Sequence, residues 1–143
     1  MSSVEGRTYW RYEDGGLALA SAVRLVEVIR SADLPRRRDD LRRLVTARSW
    51  PQWEARVRAG FDRRLLQQLT HVSTKVRYPA PGMAYVFCLS THPDQDEPLL
   101  IHVEQQGWRQ VITLLEEGGE WRAHRLGDEL VPPSAVGLAP YSW

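Results

Sequence analysis

Four polar side chains are candidates for acid and base chemistry in this sequence. Tyr12 and Asp14 belong to an aromatic and acidic N-terminal stretch, His71 precedes an alternating segment, and Tyr85 lies within an apolar one. A small cyclase, isomerase or hydrolase needs a titratable group at the base of an apolar pocket, and these residues could supply it. Tyr12 and its aromatic neighbours could equally pack the N-terminus onto the core, in which case they have no chemical role.

The spacings that hold metals and nucleotide cofactors do not occur. The four histidines and the single cysteine form no HxxxH, HxH or CxxC pattern, and there is no GxGxxG, GxxxxGK[ST] or GxSxG motif. Cys88 lies inside an apolar run, which is typical of a buried structural thiol rather than a nucleophile. We therefore expect no metal site and no cofactor.

Arginine supplies nearly all of the positive charge, yet the net charge is only +1. The densest basic cluster, residues 36–43, is interrupted by Asp39 and Asp40, and helical geometry spreads its arginines around the axis. This pattern indicates a solvated helix face, so we expect no specific binding of nucleic acid.

Helical periodicity dominates the first half of the chain. An amphipathic pattern predicts a helix from Leu17 to Ser31, and a narrow apolar stripe predicts a charged second helix that ends near Arg48. Ser49 is a plausible N-cap for a third helix, and Asp62 for a short fourth. These helices must bury their apolar faces against another layer.

The second half alternates polar and apolar residues in the two-residue period of strands. Gly118 and Gly119 sit between two such segments, where a two-residue hairpin turn requires positive φ. The predicted strands are Val72 to Tyr78, Met83 to Thr91, Leu99 to Gln105, Arg109 to Glu116, and Glu120 to Leu126. Together they form an antiparallel meander.

Counting outward from the two glycines places Leu115 opposite Arg122 and Thr113 opposite His124, and it assigns the residues of the last strands to two faces. Ile112, Leu114, Trp121 and Ala123 fall on an apolar face that the helices should cover. The opposite face is too polar for a core and too apolar for ordinary solvent exposure, which favours an interface between two copies of the chain. The predicted interface residues are Leu100, His102, Val111, Thr113, Leu115 and His124.

The order of helices followed by a curved antiparallel sheet, closed by the hairpin WRQVITLLEEGGEWRAHRLG, resembles the nuclear transport factor two-like superfamily. The hairpin, which carries most of the likeness, covers residues 108–127, about a seventh of the chain. The resemblance implies a cone-shaped α+β domain around an apolar pocket. The family includes isomerases, dehydratases, polyketide cyclases and hydrolases as well as members that only bind ligands or proteins, so the resemblance does not choose between enzyme and binding protein.

These observations predict an α+β fold in which N-terminal helices pack on one face of a curved antiparallel sheet. We expect a single domain over residues 1–143, with irregular segments at 1–16 and 127–143. No signal peptide pattern and no apolar run of about 18 residues is present, so we expect a cytoplasmic protein with no membrane contact.

The function that the sequence favours is a non-catalytic accessory or binding domain that self-associates as a homodimer through its sheet face. Its partners would be a second copy and a small apolar ligand or another protein. Two alternatives stay open. One is the small cyclase, isomerase or hydrolase described above, and the other is an immunity-type or inhibitor protein.

Overall fold

The computed structural model describes residues 11–14, 16–31, 33–61, 63–69, 71–89 and 110–141. Within these ranges the chain is an α+β fold with five strands in one antiparallel sheet of order β1-β2-β3-β4-β5. The helices are α1 (Gly16–Ile29), α2 (Arg38–Leu44), α3 (Trp50–Ala59) and α4 (Arg63–Gln67). The strands are β1 (Arg11–Asp14), β2 (His71–Ala80), β3 (Met83–Leu89), β4 (Gln110–Glu117) and β5 (Glu120–Gly127). The predicted fold class is confirmed, whereas the predicted strand Leu99 to Gln105 lies outside the described residues.

Helix α1 supplies the main apolar layer on one face of the sheet. Its buried side chains follow helical spacing through Ala18, Ala22 and Leu25, and they share a core cluster with Ile112 and Leu114 of β4. Ala123 and the half-buried Trp121 of β5 belong to or pack against the same cluster. The face that the sequence assigned to the core is therefore the face that the helices cover.

Helix α2 ends earlier than the sequence predicts. It stops at Leu44, and Val45 is extended, with φ −117° and ψ 157°. Val45 forms a parallel bridge with Ala123, and the backbone N–H of Thr46 donates to the carbonyl of Ala123 over 2.9 Å. The unpaired edge of β5 thus competes for residues that helical periodicity assigned to α2.

The β4–β5 hairpin turns on two glycines in left-handed conformations. Gly118 has φ 61° and Gly119 has φ 82°, which confirms the predicted turn. Leu115 lies opposite Arg122, as counted from the turn, but a register shift then leaves Leu114 opposite Ala123 and Thr113 opposite Arg125. The prediction that Thr113 faces His124 is wrong because His124 is the extra residue of a β-bulge.

The other face of the sheet is covered by the segment after β5. Residues 128–141 run back across the sheet through a 3₁₀ turn at Pro133–Val136, and the N–H of Tyr141 donates to the carbonyl of Pro79. Val131 and Val136 pack into a second cluster on this face, whose other buried members are Ala80, Met83, Tyr85, Phe87, Val111 and Leu115. The C-terminal segment is irregular over much of its length, as predicted, but it also provides part of a core.

Because the C-terminal segment covers this face, the predicted interface lacks the exposed apolar patch on which the prediction was based. Val111 and Thr113 are at most 1% exposed and Leu115 is 6% exposed within the single chain, so they form no exposed patch that needs a partner. The sequence did not assign the C-terminal apolar residues a place on this face. Leu100 and His102, the other two strand positions of that interface, lie outside the described residues.

The N-terminal segment also differs from expectation in its described part. Residues 11–14 were expected to be irregular, but they form β1, an edge strand paired with β2 from Tyr78 to Lys75. Pairing with β1 satisfies backbone groups along that edge of β2. In the described part of the chain, no helix is both long and apolar enough to cross a bilayer.

Candidate functional site: a basic cleft at the sheet edge

Of the four predicted acid and base candidates, the structure describes the side chains of His71 and Tyr85, and neither lines the two clefts found along the edge of β5. In the backbone register, Tyr12 and Tyr85 lie on either side of Arg77, Asp14 lies opposite Lys75, and His71 is an exposed residue at the start of β2. The hydroxyl of Tyr85 donates to the carbonyl of Val131, and burial raises the pKa of Tyr85 to about 12. Tyr85 is thus a structural residue that ties β3 to the C-terminal segment.

The larger cleft lies where the start of α3, the bulge of β5 and the C-terminal segment meet. It has a volume of about 730 Å³, within the range of small-molecule sites. We call it the basic cleft. Its described lining residues are Arg48, Ser49, Gln52, Trp53, Arg56, His124, Arg125, Leu126, Val131, Ala135 and Val136.

A spacing of four residues brings part of this lining to one side of the cleft. Arg48 belongs to the 3₁₀ turn Ala47–Ser49, and Gln52 and Arg56 follow on α3, so that successive helical turns present them together. Arg56 donates from Nη1 to the carbonyl of Leu126 over 2.8 Å, and its guanidinium carbon lies 5.1 Å from the ring centre of Phe61. Arg56 therefore anchors α3 to the outer edge of β5.

The charges of the basic cleft are uncompensated within the described chain. No Asp or Glu is among the described lining residues, and no described carboxylate lies within 4.0 Å of the guanidinium nitrogens of Arg48, Arg56 or Arg125. Burial, and then the charge of Arg125, lower the pKa of Arg56. Three cations thus face a common space with no described anion to balance them.

A chain of hydrogen bonds fixes the histidine of the cleft. Nε1 of Trp53 donates to Oγ of Ser49, which donates in turn to the carbonyl of Thr46 over 3.1 Å. Oγ1 of Thr46 donates to Oγ of Ser49 over 2.6 Å and lies 3.0 Å from Nδ1 of His124. When Thr46 donates to Ser49 and Ser49 donates to the carbonyl of Thr46, both hydroxyl protons are used, and Nδ1–H of His124 is then the donor to Oγ1 of Thr46.

The electrostatic surroundings of His124 favour its neutral form. Its pKa is lowered first by burial and then by Arg48 and Arg125, while Glu117 acts in the opposite direction. Both carboxylate oxygens of Glu117 accept the backbone N–H of Ala47, at 3.1 and 3.2 Å, so this acid is held at the 3₁₀ turn. A neutral imidazole with Nδ1 protonated presents Nε2 as a hydrogen-bond acceptor.

A second cleft lies on the other side of the Val45 to Trp50 segment. We call it the paired groove. It has a volume of about 360 Å³ and its described lining residues are Asp39, Arg42, Arg43, Val45, Ala47, Trp50 and Arg122. Arg43 and Arg122 lie 3.7 and 3.2 Å from Asp40 and Glu120, and the guanidinium of Arg42 stacks 5.6 Å from the ring centre of Trp50.

The arginine cluster that the sequence singled out is likewise occupied by local partners. Arg36 pairs with Asp33, Arg37 with Asp40, and Arg38 with Glu54. Much of the positive charge of this cluster is thus paired with nearby acidic side chains.

The remaining candidate ligands for chemistry do not cluster. Burial raises the pKa of the Cys88 thiol to about 12, as expected of a structural cysteine. Across the described ranges, no three histidine, cysteine, aspartate or glutamate side chains come close enough to hold a metal ion. Among the predicted site residues whose side chains the structure describes, only His124, predicted as an interface residue, lines the basic cleft.

The sequence alone did not single out Arg48, Arg56 or Arg125. One signal was present, since Arg48, Gln52 and Arg56 recur every four residues, but the predicted helix boundary at Ser49 divided this set. Arg125 carries no local signal at all, because the bulge at His124 decides where it points. In the comparisons with known proteins, no family model, no curated protein and no solved structure matches this chain.

Proposed function

We propose that this protein is a non-catalytic binding domain and that the basic cleft receives a negatively charged small molecule. The observation that carries the proposal is the convergence of Arg48, Arg56 and Arg125 on a cleft with no carboxylate among its described lining residues. Cations that share a partly desolvated site repel one another, and a bound anion would relieve that repulsion. The sequence favoured an apolar ligand or a protein partner, whereas these arginines favour a ligand that also carries negative charge.

The rival enzyme hypothesis has less support from the geometry. Among the candidates whose side chains are described, His71 and Tyr85 do not line the basic cleft. Thr46 and Ser49 are at most 4% exposed, and their hydroxyls are engaged in hydrogen bonds. A nucleophile must be able to reach its substrate. His124 is the remaining candidate base in this cleft, and it has no described nucleophile to activate there.

Self-association stays a prediction. Three residues of the predicted dimer interface, Val111, Thr113 and Leu115, are buried within the single chain on the face that the C-terminal segment covers. A dimer would have to use other surfaces or displace that segment. Sedimentation velocity of the whole chain tests this prediction directly.

The test of the proposed function uses two probes that share a body and differ in charge. Titration calorimetry with 3-phenylpropionate and with 3-phenylpropionamide should give at least tenfold tighter binding of the carboxylate. Replacement of both Arg48 and Arg125 by Gln should abolish the preference for the carboxylate over the amide, because the cations that attract the carboxylate from these two positions are removed. The matched control is Arg42→Gln with Arg43→Gln in the paired groove, which should keep it. Equal binding of acid and amide, or no binding of the acid, would contradict the proposal.

A further inference from the structure

The orientation of His124 limits what the basic cleft can recognise. Its Nδ1 is committed to Oγ1 of Thr46, which is 1% exposed and already donates to Ser49. In the tautomer in which Nδ1–H donates to this hydroxyl, a neutral imidazole has one remaining polar atom, Nε2, and this atom only accepts hydrogen bonds. No described residue donates to it.

The arginines of the cleft have the opposite capacity. Guanidinium groups only donate, and they suit the oxygens of a carboxylate or phosphate. Arg48 and Arg125 act on His124 electrostatically, so cationic donors and a neutral acceptor are close together. A ligand that satisfies both must carry an acidic group and a hydrogen-bond donor next to it.

The size and walls of the cleft favour an organic ligand over a bare inorganic anion. A volume of about 730 Å³ would remain mostly empty around a single inorganic ion. Five of the described lining residues are apolar, and three of them, Val131, Ala135 and Val136, come from the C-terminal segment. An apolar body would lie against that wall while the acidic group meets the arginines.

We propose that the basic cleft selects small organic acids that carry a hydrogen-bond donor beside the acidic group, and that Nε2 of His124 accepts the bond from this donor. This inference rests on the proposed function of the cleft as an anion site. It adds a specificity-determining residue, His124, and a ligand class, of which the hydroxy acids with an apolar substituent are the simplest members.

A series of four probes tests each feature of this ligand class separately. Calorimetry compares 3-phenyllactate with 3-phenylpropionate, which lacks the hydroxyl, with lactate, which lacks the apolar body, and with 3-phenyllactamide, which lacks the charge. We expect the tighter enantiomer of 3-phenyllactate to bind roughly threefold to tenfold better than 3-phenylpropionate, the size of one net hydrogen bond. Lactate and the amide should each bind at least tenfold more weakly.

The variant His124→Phe removes the acceptor and retains a planar ring. It should bind 3-phenyllactate and 3-phenylpropionate equally while still preferring both over the amide, because Arg48, Arg56 and Arg125 are intact. Thermal unfolding checks that the variant is folded. A hydroxyl preference that survives in folded His124→Phe would overturn the role of His124.

A pH series on the unaltered protein keeps the test independent of any variant. Protonation of His124 turns Nε2 into a donor, and the ligand hydroxyl can then only accept from it, so the ratio of the affinities for 3-phenyllactate and 3-phenylpropionate should change at acidic pH while both probes stay ionised. The groups that face His124 are Arg48 and Arg125, which stay charged, and Glu117, which is bound to the backbone of Ala47.

The failures of the two proposals are distinguishable. If 3-phenyllactate and 3-phenylpropionate bind equally near neutral pH but both exceed the amide, the anion site stands and the inference about the donor is wrong. If the amide matches the acids, the anion site itself is wrong. If lactate binds as well as 3-phenyllactate, the apolar body contributes nothing and the proposed ligand class is wrong.

Discussion

The basic cleft and the paired groove flank the same short segment, Val45 to Trp50, and draw on the same strand, yet they use arginine differently. β5 contributes Arg125 to the basic cleft and Arg122 to the paired groove. In the groove, Arg122 has Glu120 within 3.2 Å and Arg42 lies over the ring of Trp50. In the cleft, the guanidinium groups have backbone carbonyls and aromatic rings as described partners, with no described carboxylate.

The comparison shows that the partners of the arginine side chains, more than the number of arginines, distinguish a binding site from a solvated surface. Exposed ion pairs such as those of the paired groove contribute little stability, and they leave little attraction for an added anion. Cations in a concave site without a described carboxylate partner keep more of their attraction for an added anion. The pKa of Arg56 is lowered first by burial and then by the nearby charge of Arg125. A sequence count of arginines cannot separate the two cases.

The strongest test of this contrast reverses one charge in each cleft on the same strand. Arg125→Glu should weaken binding of 3-phenylpropionate roughly 100-fold, because an attraction of about 4 kcal/mol at 4 Å in a dielectric of 20, reduced by exposure, becomes a repulsion. Arg122→Glu, the matched control, should change it less than threefold. Calorimetry measures both. Comparable losses in the two variants would remove the distinction between the clefts.

A second test concerns the turn that sets the register of β5 from Glu120 to the bulge at His124 and so places Arg122. Gly119 has φ 82°, and a β-carbon built on it meets no atom within 4 Å, so the cost of Gly119→Val is conformational. We expect a loss of about 2 kcal/mol in the free energy of unfolding. Urea denaturation measures it. Gly127→Ala is the control at a glycine without positive φ, and an equal loss there would contradict the explanation.

The two tryptophans of α3 offer a smaller contrast between the clefts. Trp53 is 2% exposed and donates to Ser49, whereas Trp50 is 9% exposed and lies under Arg38 and Arg42. Trp53→Phe should cost about 2 kcal/mol, from lost volume and the lost hydrogen bond to Ser49, and Trp50→Phe about 1 kcal/mol. Chemical denaturation ranks the two variants. The reverse order would show that the Thr46, Ser49 and His124 chain depends little on Trp53.

The smallest expected effect is a pH dependence of stability that belongs to the basic cleft. The pKa of His124 is lowered in the folded protein, so between that value and the ordinary value near 6.5 the unfolded chain binds more protons. Stability should therefore be complete above pH 6.5 and decrease as the pH falls through this window. Thermal unfolding from pH 7.5 to 5 measures the slope, and His124→Phe should flatten it. An unchanged slope in that variant would assign the dependence to other groups.

Much of the fold could be predicted from the sequence because its signals are local. The apolar spacing along α1 and the alternation along β2 identify their elements within a few residues, and the paired glycines specify the β4–β5 turn through their tolerance of positive φ. The assignment of Ile112 and Leu114 to the helix-covered face follows from the same period of two. The candidate site was almost wholly missed, since its residues come from three separated parts of the chain.

The sequence by itself determined the α+β class, the hairpin, and which face of β4 the helices cover, because helix and strand periods are properties of neighbouring residues. Tertiary structure decided the remainder. Val45 leaves α2 to pair with the edge of β5, the bulge at His124 redirects Arg125, and Val131 and Val136 cover the face that appeared free. Each of these outcomes depends on contacts between residues far apart in the chain, where backbone hydrogen bonds and apolar burial outweigh local pattern, and together they bring Arg48, Arg56, His124 and Arg125 to one cleft.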